Sequence, residues 1–153
     1  MKKHAILIIL LISSICIIIS GCGKQEGDEF TGTWKRNIET RYEKPDKYHQ
    51  NTTTEEYLVI ERSENGKTAF IVTEYRLGID HAKMAFSGKT EQKSEKRQFP
   101  AQYKDGVLEK DFSKKFYIDN GQLKVNNEVY ERVSDKSMTF EEMNNGRGYP
   151  APK

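Results

Sequence analysis

Few residues in this chain can do chemistry, and their spacing limits them further. The histidines after residue 21 are His49 and His81, and neither has a ligating partner at i+2, i+3 or i+4. No cysteine follows Cys22, so no thiolate set completes a zinc site. Asp80-His81 lacks any Gly-x-Ser-x-Gly elbow and reads as a solvated pair. The paired acids Glu55-Glu56 fall in a strand-like run, where neighbours point to opposite faces and cannot converge on one substrate. Glu141-Glu142 suit the positive start of a helix. The glycines fall at turns, and neither a phosphate loop nor an EF-hand spacing is present. The reading is of a non-enzyme, with no catalytic residue and no metal site.

Cys22 stands apart. Lys2 and Lys3 precede an apolar run from Ala5 to Ile19, broken by Ser13 and Ser14. A run of about 15 residues suits the core of an export signal, whereas a membrane-spanning helix needs about 20. Ile19-Ser20-Gly21-Cys22 resembles the lipobox of bacterial lipoproteins: an aliphatic residue, a small residue, Gly or Ala, then Cys. The resemblance implies a diacylglycerol on the Cys22 thiol, cleavage between Gly21 and Cys22, and an acyl chain on the new amine. No other cofactor is expected. Cys16 leaves with the signal (residues 1–21), so disulfide and thiol chemistry are excluded from the mature chain. Two or three acyl chains make a lasting anchor where one is marginal. Residues 22–29 form the lipidated Cys and a tether reaching about 25 Å at most. Gly23 is not the aspartate that marks inner-membrane retention in Gram-negative lipoproteins. The resemblance thus implies a cell-membrane lipid anchor, with the outer membrane favoured in a Gram-negative host; a Gram-positive host fits equally.

Residues 22–153 carry 23 basic and 23 acidic residues, so the pI near 8.4 describes the uncut chain. A neutral domain without a basic aromatic surface excludes nucleic acid as a partner. The run 89–97 has four basic and two acidic residues and no aromatic. It reads as a solvated loop, with contact to anionic headgroups as the alternative. Apolar residues are about 30% of the mature part, but all 16 aromatics lie in it, too many for a disordered tail.

What positions these residues is a series of short alternating runs between turn pairs. Phe30 to Arg36 opens the series. Glu55 to Arg62 and Thr68 to Arg76 flank Asn65-Gly66, which predicts a type I′ hairpin. Asp105-Gly106, Asn120-Gly121 and Asn126-Asn127 punctuate the later runs. The pattern predicts an all-β antiparallel meander, of eight or nine strands of five to seven residues within 30–133. Residues 36–54 read as a loop or ragged strand, and 82–98 as an exposed hairpin or loop, or a short helix near 82. Thr139 and Glu142 form a capping box for a short C-terminal helix. The domain is expected over 30–143, with 144–153 a loose tail.

Gly32-Thr33-Trp34 is similar to the Gly-x-Trp signature of lipocalins, and residues 120–132 resemble the last hairpin of small lipocalin-like lipoproteins. The resemblance implies a barrel or half-barrel closed at one end by Trp34. An eight-stranded barrel is just wide enough for side chains to fill, so a filled barrel is favoured over a deep cavity. Two functions follow. The first is a membrane-anchored binding or interaction module of the cell envelope (an inhibitor, an immunity or exclusion factor, or an assembly accessory) with an envelope protein as partner. The second is a carrier or sensor of a small apolar ligand, lined by Trp34, Phe70, Val72, Phe86 and Phe116. The eight tyrosines suit an interface or a domain boundary equally.

Overall fold

The computed structural model describes residues 24–41, 52–82, 90–111 and 113–153. Eight antiparallel strands follow one another: β1 (Gly32–Thr40), β2 (Thr52–Arg62), β3 (Ala69–Ala82), β4 (Thr90–Lys104), β5 (Val107–Lys110), β6 (Lys114–Asp119), β7 (Gln122–Val125) and β8 (Glu128–Ser134). Each pairs with the next, and β8 returns to β1. The result is a closed meander barrel of lipocalin-like topology. Its tight turns follow from residue type. Asp105 and Gly106 (φ 50° and 82°) and Asn120 and Gly121 (φ 51° and 78°) all take positive φ, as type I′ turns require. Asn65-Gly66 does not, since Asn65 has no positive φ. The inward residues Ile60 and Val72 set a register that pairs Arg62 with Phe70, and a two-residue turn cannot cross that gap.

The strands are far from equal. The first four have 9, 11, 14 and 15 residues, and the last four have 4, 6, 4 and 7. The expected uniform length of five to seven is therefore corrected. Residues 90–97 of the charged run lie within β4 and pair with β3, so of the exposed hairpin or loop expected for 82–98 it is the hairpin that forms. The run escapes the rule against charge in a buried strand because, among the described residues, this part of β4 pairs only with β3, leaving its charged side chains access to water. Residues 36–40 and 52–54 are likewise paired strand; 42–51 and 83–89 lie outside the described residues. Phe30, expected to open the first strand, instead ends a 3-10 turn, Asp28–Phe30.

Inward-facing Trp34, Leu58, Ile60, Phe70, Val72 and Phe116 fill the barrel with no exposed surface; burying each such side chain contributes about 1.5–3 kcal/mol. The N-terminal residues plug one end. Phe30 is buried in this core, and its carbonyl accepts the Trp34 Nε1–H at 2.9 Å. Arg132 lies over the Trp34 ring at 4.1 Å and donates to the Thr31 carbonyl at 2.7 Å. Arg62 pairs with Asp28 at 2.6 Å. The tether assigned to 22–29 is thus shorter than expected, because Gly27 is buried and Asp28–Glu29 are folded onto the barrel.

A second cluster covers the outside of β2 and β3, where Tyr57, Val59, Tyr75 and Leu77 pack against Met138, Phe140, Met143 and Tyr149. Helix α1 (Phe140–Asn144) has the predicted capping box of Thr139 and Glu142. The tail expected to be loose is held down. The Asn144 amide bonds both backbone groups of Tyr149 (3.0 and 3.2 Å), and Arg147 pairs with Glu55. Small aromatic and amide residues in a polar stretch found partners that no local pattern showed.

Candidate functional site

Opposite the plugged end, β1 to β4 outrun their neighbours, and among the described residues nothing closes the barrel there. There the inward positions turn from apolar to charged. On β1, Arg36 follows Trp34 on the inner face; on β2, Glu56 follows Leu58; on β3, Glu74 and Arg76 follow Val72. Strand alternation brings them together. Six charges form one chain of contacts in the order Glu128, Arg36, Glu56, Arg76, Glu74, Lys114. The successive separations are 2.7, 2.6, 3.6, 3.2 and 3.3 Å. Three carboxylates meet three cations, so the floor of the open end is neutral. Glu56 is 1% exposed and takes the Nε–H and an Nη–H of Arg36, at 2.8 and 2.6 Å, on one oxygen.

The electrostatics follow from this order. Burial pushes the Glu74 pKa up, but Lys114 and Arg76 outweigh it and hold the carboxyl below its ordinary value of 4.5. Burial, reinforced by the Glu56 charge, pushes the Tyr130 hydroxyl far above its ordinary value, and Arg36 lies 5.2 Å over its ring. Both remain in their ordinary ionisation states at neutral pH. The Arg76 Nε lies 3.2 Å from Glu74 without the alignment of a hydrogen bond. A carboxylate held as Glu74 is serves as an ion partner and is a poor proton carrier.

The residues singled out in the sequence separate. Trp34, Phe70, Val72 and Phe116 are all fully buried in one cluster. Phe86, His49, Gly21 and Cys22 lie outside the described residues. Glu55 and Glu56 diverge as expected: Glu55 turns outward to Lys35 at 2.5 Å, and Glu56 turns inward. The tyrosines divide as well, with Tyr57, Tyr75 and Tyr130 buried and Tyr117 38% exposed. Among the described residues, no three His, Cys, Asp or Glu side chains gather as a metal set. The ionic floor was missed, although Arg36, Glu56, Glu74 and Arg76 interrupt apolar alternation at positions of matching parity.

The fold and site together define a class: a small meander barrel, apolar and plugged at one end, ionic toward the other, with nothing closing that end among the described residues. Comparison with protein-family models, characterised proteins and solved structures gives no match, so the class rests on this chain alone.

Proposed function

We propose that the chain is an exported lipoprotein, cut before Cys22, anchored by the lipid on that thiol, and working as a non-enzymatic binding module at the cell envelope. The observation that carries the reading is the plugged end. Gln25 already joins a turn with Asp28, whose N–H donates to its carbonyl at 3.0 Å, and the next residues seal the core. Only two or three residues then separate the lipid from the barrel, a reach of about 10 Å. In this reading the plugged end sits against the bilayer, and β3, at about 3.3 Å per residue and with the strand tilt of a closed barrel, carries the open end roughly 35 Å outward. The charged run of β4 then faces away from the headgroups. The filled interior and the neutralised floor support a module that acts through its surface rather than a carrier or an enzyme. An outer-membrane address is proposed for a Gram-negative host.

The test is Cys22→Ala in the native host, with metabolic labelling by a fatty-acid analogue. Label should disappear and the precursor should persist at its full length. Continued labelling would overturn the anchor. Native mass spectrometry of the extracted protein should show no retained small ligand; a reproducible added mass of a few hundred daltons would favour the carrier.

A further inference from the structure

Strand β4 has two edges, and one of them is mostly unused. The first pairs with β3 from Thr90 to Gln102. The second pairs with β5 only at Gln102, Tyr103 and Lys104. Among the described residues nothing pairs with this second edge from Thr90 to Ala101. An open edge of about a dozen residues is long, because proteins usually keep such edges short or covered.

Backbone alternation identifies the free groups. Tyr103 donates its N–H to the Thr68 carbonyl at 2.7 Å, toward β3. The odd-numbered residues of β4 therefore bond β3, and Gln92, Ser94, Lys96, Gln98 and Pro100 turn their backbone groups outward. Pro100, which has no N–H, falls in the outward set and removes nothing from the ladder to β3. Between Gln92 and Pro100 four outward donors remain.

Beside this edge lies a groove of about 390 Å³, bounded by Gln92 to Arg97 and by Pro150, Ala151 and Lys153. Lys93, Lys96, Arg97 and Lys153 line it against one carboxylate, Glu95. The Ser94 hydroxyl is buried there without a hydrogen-bond partner. Basic side chains deter a second copy from pairing edge to edge, because like charges would meet. Toward an acidic strand they are attractive.

We propose that the open edge of β4 is a docking site for an extended, acidic segment of a partner protein, added as a further strand along Gln92 to Pro100. Main-chain hydrogen bonds supply the affinity, and the basic groove selects the side chains. The proposal rests on the binding-module reading and names its surface and the chemistry of its partner.

The test uses the full chain in detergent, titrated with a fluorescein-labelled ten-residue peptide of alternating Val and Glu. A Val–Lys peptide is the control. Two variants accompany the wild type. Ser94→Pro removes an outward N–H and leaves the bonds to β3, as Pro100 does; Lys96→Glu reverses a groove charge without touching the backbone. The Val–Glu peptide should bind saturably, each variant should weaken it at least tenfold, and the Val–Lys peptide should not saturate. Absent binding, equal binding of both peptides, or binding unchanged in Lys96→Glu would overturn the proposal, and the last applies even if Ser94→Pro fails to fold. A dimer whose β4 edge amides are protected from exchange would assign the edge to a second copy and overturn it as well. The titration does not involve Cys22, so failure of the anchor is read separately in the labelling experiment.

Discussion

The plugged and open halves of this barrel are built on the same four strands with the same alternation, yet their interiors are opposite. In the plugged half all eight strands complete the wall, and the inner positions Trp34, Ile60, Phe70 and Val72 exclude water. In the open half β5 to β8 have ended, and the inner positions become Arg36, Glu56, Glu74 and Arg76. Had apolar residues continued upward, the missing wall would have left an exposed apolar concavity, a liability for aggregation. Neutral ionic pairing instead caps the core where no strand can. The comparison teaches that wall height, not strand length, sets where the dry core stops.

Trp34→Ala should break the plugged half outright. It removes the largest fully buried side chain, the support of the Phe30 carbonyl and the platform under Arg132. A loss of about 3–5 kcal/mol is expected in urea denaturation followed by far-UV circular dichroism, and a loss below 1 kcal/mol would mean the plug is not integral to the core.

The open half is tested by Glu56→Gln, which keeps the shape but leaves Arg36 with only the exposed Glu128 and Arg76 with only Glu74. We expect a loss of about 2–4 kcal/mol. Glu128→Gln, at the 42% exposed end of the same chain of charges, should cost under about 1 kcal/mol. Equal costs for the two would show that burial does not grade this layer.

Gly78→Ala addresses the strap on the outer face. Gly78 has φ 74°, and an added Cβ would lie 3.0 Å from the Tyr149 ring. The expected cost is about 1–2 kcal/mol, together with faster proteolysis of residues 144–153 while Trp34 fluorescence stays native. Unchanged proteolysis would argue that the strap is held without this contact.

The smallest effect is a pH dependence. Because the Glu74 pKa is lowered by Lys114 and Arg76 against the cost of burial, its contribution is present above the ordinary value of 4.5. It is lost as pH falls through the lower folded value. Wild-type stability should therefore decline below about pH 4.5, and Glu74→Gln should flatten that decline. An identical acid profile in both proteins would remove Glu74 from the ionic floor.

Local chemistry made several features legible. Asp105-Gly106 and Asn120-Gly121 need positive φ and nothing distant to form a turn, and Thr139 with Glu142 caps a helix within one turn of chain. Gly32-Thr33-Trp34 also stood where a barrel opening should stand. Asn65-Gly66 was misleading because partner strands, rather than the pair itself, chose the register there. The run 89–97 leaves loop and exposed hairpin strand open for a related reason. Its charges exclude a buried strand, and only the early end of β5 leaves this part of β4 unburied.

By itself the sequence determined the all-β meander, two of its tight turns and the C-terminal cap, because each depends on residues within a few positions of one another. Tertiary structure alone decided the unequal strands, the charged floor, the strap over Gly78 and the β4 edge left unpaired among the described residues. Each of these depends on which residues from distant strands share a face or lack a neighbour, and that is a property of closure, not of any segment.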